Sequence, residues 1–314
     1  MRTGTRRAAR SPQAAPASAG PSVRHASIVF AGMAPTTLAR IGAQSVARAP
    51  ASLAHAGFGD HGPHVVLLHG IPGSRASFER VATALGQHCR VLVPDLLGFG
   101  DSPDAPAGAH AQLHAETVSR WLQDCGVERL HLVGFDFGGP TAILLAARLR
   151  GRVQSLTLAA TNLFPDTPVP LPLRVAKVPG LGALCFRLAL GRLGLLAMWR
   201  AAVADRAAFP LSRYRAMLRD NCVRSTRRIF YASMRDLPGL YGEIARTAQT
   251  LQLPAAVLWG DRDPFFPLAV GERTARTLGA PLHVLTGCGH FVPEERPAEM
   301  ARVIAALVER AAPG

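Results

Sequence analysis

The chain has 314 residues, 48% of them hydrophobic, which is enough to bury one large core and carry an inserted lid. Its formal net charge of +14 comes from 34 Arg and a single Lys, Lys177, and no Asp or Glu precedes Asp60. That distribution reflects an Arg-biased coding sequence and one basic arm. It is not the mixed Lys/Arg stripe that follows a phosphate backbone, and it argues against nucleic-acid binding.

Residues 1–35 are rich in Ala, Ser, Pro and Arg without apolar periodicity and are expected to form a disordered basic arm. Arg6-Arg7 is not followed by a continuous apolar segment, so twin-arginine export is not expected, and Met33 is an alternative start. Thr37–Gly57 reads as two antiparallel strands at a sheet edge. From residue 64 onward, apolar runs alternate with helix-like stretches. The strands are expected at His64–His69, Arg90–Pro94, Arg129–Val133, Val153–Ala159, Ala255–Trp259 and Pro281–Leu285. The helices are expected near Ala76–Gly86, His110–Cys125, Thr141–Leu149, Ala269–Leu278 and Pro297–Ala311. This alternation predicts an α/β fold with a mostly parallel sheet flanked by helices.

The rhythm breaks at Asn162, after what counts as the sixth strand. Residues 163–250 open with prolines and become Leu-, Ala- and Arg-rich, the pattern of a helical cap over a core made of 36–162 and 251–314. Leu181–Ala204 is interrupted by Arg187, Arg192 and Arg200, so stable membrane insertion is not expected. An amphipathic lid explains that segment more simply than a membrane-docking face. Five scattered Cys without a C-x-x-C read as reduced thiols of a cytoplasmic protein, with no zinc site.

Chemistry-bearing motifs fall at strand ends. Gly134-Phe135-Asp136-Phe137-Gly138 has the spacing of G-x-S-x-G, the turn that lifts a nucleophile off a sheet, but with Asp136 in place of serine. His69-Gly70-Ile71-Pro72 can aim the Ile71 N–H at a developing oxyanion, with the Phe137 N–H as second donor. Gly260-Asp261-Arg262-Asp263-Pro264 offers two acids to orient a histidine. Asp263, deeper in the loop and before a proline, suits that role better than Asp261. Gly287-Cys288-Gly289-His290 places a histidine on a loop tip. His69 and His131 read as structural, and His110 and His114 as an exposed helix face.

With these four motifs in order, and with Val93-Pro94-Asp95-Leu96-Leu97-Gly98-Phe99-Gly100-Asp101-Ser102, the chain resembles the α/β-hydrolase superfamily from about Thr36 to Ala311. An Asp at the elbow resembles the epoxide hydrolases and haloalkane dehalogenases within it. The resemblance implies a small apolar substrate, water as co-substrate and an alkyl-enzyme ester, with no metal or organic cofactor. A carboxylate attacking an acyl group would give an anhydride, whereas attack on an sp³ carbon gives an ordinary ester that water can cleave. In that mechanism Asp136 is the nucleophile, and His290, oriented by Asp263, activates water.

The resemblance also frames the leaving group. Dehalogenases of this type carry a Trp after the nucleophile, where this chain has Phe137, although Trp199 lies in the cap. Epoxide hydrolases use cap tyrosines as proton donors, and Tyr231 lies where the second is expected. Phe230 and Trp199 are candidate substrate contacts. The reading is epoxide hydrolysis to a diol. Haloalkane dehalogenation and a non-catalytic ligand-binding relative are the alternatives, and the sequence leaves the oligomeric state open.

Overall fold

The computed structural model describes residues 52–167, 178, 180–218 and 220–311. The basic arm, most of the expected edge-strand region and the proline-rich stretch 168–177 lie outside these residues. Seven strands make one sheet: β1 (His55–Phe58), β2 (His64–Leu68), β3 (Arg90–Pro94), β4 (Leu130–Phe135), β5 (Val153–Ala159), β6 (Ala255–Gly260) and β7 (Leu282–Leu285). Their spatial order is β1-β3-β2-β4-β5-β6-β7. β1 runs antiparallel to β3, and every other pairing is parallel.

The sequence dictates this arrangement directly. β4 is buried along its whole length and β2 from Val65 onward, as parallel strands covered on both faces must be. β1 alternates exposed and half-buried residues, the pattern of an edge. Only this one strand of the two expected over Thr37–Gly57 lies among the described residues, so the long insertion follows the fifth described strand. The flanking helices include Glu79–Leu85 packed on Pro297–Ala311, and Ala111–Asp124 packed on Gly138–Leu149.

Between β5 and β6 the described residues form helices Leu181–Ala189, Arg192–Ala202, Leu211–Met217, Asp220–Arg235 and Leu237–Thr250. The last begins at Asp236, whose side chain accepts from the Gly239 N–H at 3.3 Å, with a proline in the first turn. That is the usual chemistry of a helix start, because the first N–H groups have no partner within the helix. Among the described residues no helix is long and apolar enough to cross a membrane.

Candidate active site

β4 delivers Asp136 into a strained turn. Its φ is 49°, in the left-handed region that side chains avoid, and helix Gly138–Leu149 starts immediately afterward. The turn is braced through the backbone. The Asp136 carbonyl accepts from the Thr161 hydroxyl at 2.6 Å and from the Gly139 N–H at 3.0 Å. At Gly70 a Cβ would lie 2.6 Å from the Asp136 Cβ and 2.8 Å from its Oδ1, so only glycine lets this loop approach the carboxylate.

The approach positions one donor. The Ile71 N–H donates to Asp136 Oδ1 at 2.8 Å. Phe137 occupies the helix N-cap, but among the described residues no hydrogen bond joins its N–H to the carboxylate. Asp136 Oδ2 lies 3.5 Å from His290 Nε2, and His290 Nδ1 lies 2.9 Å from Asp263 Oδ2. The Asp263 side chain is fully buried, and its Oδ1 accepts from the N–H groups of Phe265 (2.8 Å) and Phe266 (3.1 Å). Those two bonds fix the acid. Asp261 is exposed and accepts from the Cys288 N–H at 3.3 Å, so it serves the loop and not the histidine.

His290 is buried among the rings of Phe135, Phe265, Phe266 and Phe291, with centroids 5.1–5.5 Å away. Burial opposes its positive charge, but Asp263 and Asp136 outweigh burial and push the imidazole up to about 10. An imidazolium therefore sits between two carboxylates at neutral pH. A raised native pKa stabilises the fold fully below the unfolded value of about 6.5 and loses that contribution as the pH climbs through the native value. The melting temperature of the wild type, compared with His290→Gln across pH 6 to 10, is expected to lose ground steadily over this window. A constant difference would mean that the ring is not held as the cation.

The histidine loop has a second anchor. The His290 N–H donates to the Ala202 carbonyl at 2.9 Å, tying the loop to the end of helix Arg192–Ala202. Buried Glu295 accepts from the N–H groups of Gly289 (3.0 Å), Ala204 (2.9 Å) and Asp205 (2.8 Å) through Oε2, and from Phe291 (3.2 Å) through Oε1. One carboxylate thus joins the histidine loop to the insertion.

A cavity of about 330 Å³ opens over Asp136 and His290, walled by helices of the insertion. Its polar contributors are few: Asp136, His290, Asn162, Thr167 and Tyr241. The Asn162 amide already bonds to Phe164, and its carbonyl oxygen also accepts from Thr167 at 2.5 Å, so both are engaged among themselves. Tyr241 contributes the phenol among these lining residues, and burial together with the Asp136 charge raises its pKa.

The structure brings Asp136, Ile71, His290, Asp263 and Phe230 to this cavity or its immediate support, but sends two other candidates elsewhere. Tyr231 does not line the cavity, because a single-residue step along the helix turns it away from the direction of Phe230. Trp199 is buried away from the cavity, and its indole N–H donates to the Phe209 carbonyl at 3.2 Å. The other two indoles are engaged as well, Trp259 with the Phe266 carbonyl at 2.8 Å and Trp121 with His55 at 3.4 Å. His114, expected on an exposed face, is fully buried with its ring 5.2 Å from that of Phe137, because helix Ala111–Asp124 turns it inward. Burial pushes it down to about 3 and keeps it neutral. Tyr241 was missed from sequence, although Phe230 and Met234 on one helix and Leu237 and Tyr241 on the next each fall at i, i+4 spacing and all reach the cavity. Among the described residues no group of His, Cys, Asp and Glu is placed to hold a metal ion.

Comparison with known proteins gives the same fold and several chemistries. The chain is 29% identical over 249 residues to a 2-hydroxy-6-oxononadienedioate/2-hydroxy-6-oxononatrienedioate hydrolase of Paraburkholderia xenovorans, spanning 76% of this chain and 84% of the relative. It is 28% identical over 260 residues to haloalkane dehalogenase 2 of Mycobacterium bovis, spanning 79% and 88%. Among solved structures, the epoxide hydrolase CorEH superposes with a TM-score of 0.68 at 20% identity, over 82% of this chain and 95% of that one. A thermophilic esterase of Thermogutta terrifontis superposes with a TM-score of 0.70 at 24% identity, over 82% and 93%. At those identities the two superpositions speak for the fold alone. The model of the alpha/beta hydrolase family matches residues 65–303, and the chain belongs to that family and is a hydrolase.

Proposed function

We propose that the protein hydrolyses a small apolar epoxide to a diol through an ester on Asp136. The observation that carries this reading is that a carboxylate at the elbow and a phenol, Tyr241, line one largely apolar cavity. Oδ1 is held by the Ile71 N–H, which leaves Oδ2 as the attacking oxygen. Oδ2 bonds to an epoxide carbon as the C–O bond breaks, and the departing alkoxide takes the proton of Tyr241. The nucleophile is now a neutral ester, so one of the two anions that raised the His290 pKa has gone. The imidazolium gives its proton to the tyrosinate across the cavity and becomes a neutral base when one is needed. His290 then deprotonates water, and hydroxide adds to the Asp136 carboxyl carbon. The oxyanion rests on Oδ1 against Ile71, with the Phe137 N–H as second donor. Collapse breaks the ester bond, and the diol leaves with the proton held by His290.

Halide expulsion is the second reading, favoured by the 28% identical dehalogenase. Against it, each indole N–H is committed to a protein acceptor, so none is left to cradle a halide. Intact-mass spectrometry of His290→Gln after incubation with small epoxides and haloalkanes separates the two. Epoxide opening adds the whole substrate mass at Asp136, whereas halide loss adds the substrate less hydrogen halide. Tyr241→Phe in the same background is expected to slow epoxide adduct formation roughly a hundredfold, and Tyr231→Phe to leave it unchanged. A halide-type adduct, or no adduct from either panel, would sink the epoxide reading.

A further inference from the structure

The insertion does not segregate its side chains as a simple lid should. A lid over an apolar cavity turns leucines inward and arginines outward. Helix Leu181–Ala189 instead exposes Leu181 (51%), Leu184 (54%) and Leu188 (69%), and Leu193 at the start of the next helix is 83% exposed. The first three recur at i, i+3 and i+7 and so form one outward stripe. Arg187, Arg192 and Arg200 are exposed beside it. From Thr167 through Ala204 the sequence contains no Asp or Glu, and its charges are Arg174, Lys177, Arg187, Arg192 and Arg200. Another face of helix Arg192–Ala202, through Gly194, Met198 and Ala201, walls the cavity together with Ala189 and Leu190 at the junction of the two helices. Ala197 is both exposed and cavity-lining, which puts the mouth of the cavity on this element.

We propose that helices Leu181–Ala189 and Arg192–Ala202 dock the protein peripherally on an anionic lipid bilayer, with the cavity mouth opening toward the acyl chains. Exposed leucines enter the boundary between headgroups and chains, and the surrounding cations meet the headgroup charge. A second copy of the chain suits this surface poorly. Two-fold pairing would set the acid-free, basic rim against itself with no carboxylate of the segment to answer it. Docking of this kind is reversible and requires no spanning helix. It supplies apolar substrates straight from the phase in which they dissolve, and it does not depend on which bond the site breaks.

The test is co-sedimentation of the full chain with vesicles of phosphatidylglycerol and phosphatidylcholine in equal parts, and with vesicles of phosphatidylcholine alone. Binding to the anionic vesicles is expected, weakened by salt, and at least about tenfold stronger than to the neutral ones. Leu184→Asp/Leu188→Asp should reduce binding roughly tenfold or more, and Leu193→Asp, at the most exposed position, should reduce it without touching the helix interior. Both variants retain the basic arm. Equal binding by wild type and variants would assign the interaction to that arm and overturn the proposal. Absence of vesicle binding would overturn it too, and concentration-dependent self-association abolished by the same substitutions would make the face an interface between copies.

Discussion

Asp136→Ala is expected to lower kcat by about four orders of magnitude or more, because the lining of the cavity offers no second carboxylate on which the proposed ester could form. The fold should survive. His290 keeps its 2.9 Å bond to Asp263, and the turn keeps its bonds to the Asp136 backbone carbonyl from Thr161 and Gly139. Alanine inherits the backbone strain, since its Cβ faces the same obstruction at φ 49°. Asp136→Gly should be equally inactive, yet more stable than Asp136→Ala by about 1–2 kcal/mol, offset in part by the greater freedom of glycine in the unfolded chain. Urea denaturation of the pair measures that difference directly. Residual turnover near the wild-type rate in either variant would remove Asp136 from the chemistry. Equal stabilities would mean that the turn relaxes when the carboxylate is gone.

Glu295→Ala is expected to be the most damaging substitution for stability, at about 3–5 kcal/mol. Four backbone N–H groups converge on this buried carboxylate, and removing it strands them where little water reaches. Glu295→Gln should fall between the two, because an amide keeps the shape but turns an NH₂ toward one set of donors. The effect should extend to chemistry. Gly289 and Phe291 flank His290, so losing their shared acceptor loosens the ring between Asp136 and Asp263. Measured well below the melting temperature, kcat is expected to fall while KM changes little. A stability loss under about 1 kcal/mol would mean that water replaces the carboxylate without penalty.

Much of the frame was legible in the sequence because its signals are local. A run such as Val65–Leu68, closed by Gly70 and Pro72, identifies a buried strand and its end without reference to any distant residue. Asp136, Asp263 and His290 stood out because each occupies a loop at such an end, and the parallel topology gathers those loops at one edge of the sheet. The insertion was less readable. Which of Tyr231 and Tyr241 faces the cavity depends on how two helices are rotated about their axes, which packing decides and composition does not. Trp199 looked available because its partner, the Phe209 carbonyl, is a backbone atom that leaves no trace in side-chain pattern. Glu295 was silent for the same reason. Two of its four donors, Ala204 and Asp205, are 91 and 90 residues away along the chain.

The bond from the His290 N–H to the Ala202 carbonyl bears on how this protein can be re-engineered. Exchanging the segment between β5 and β6 for that of a relative is an obvious way to graft new selectivity onto the scaffold. Here the graft would also replace part of the seat of the histidine. A donor segment has to bring a carbonyl to the position of Ala202 and two amides to those of Ala204 and Asp205, or the chimera starts with a misplaced His290 and an unanswered carboxylate. Modular as the insertion is in sequence, a graft that begins after Asp205 keeps these three groups, whereas one that begins at the strand end replaces them.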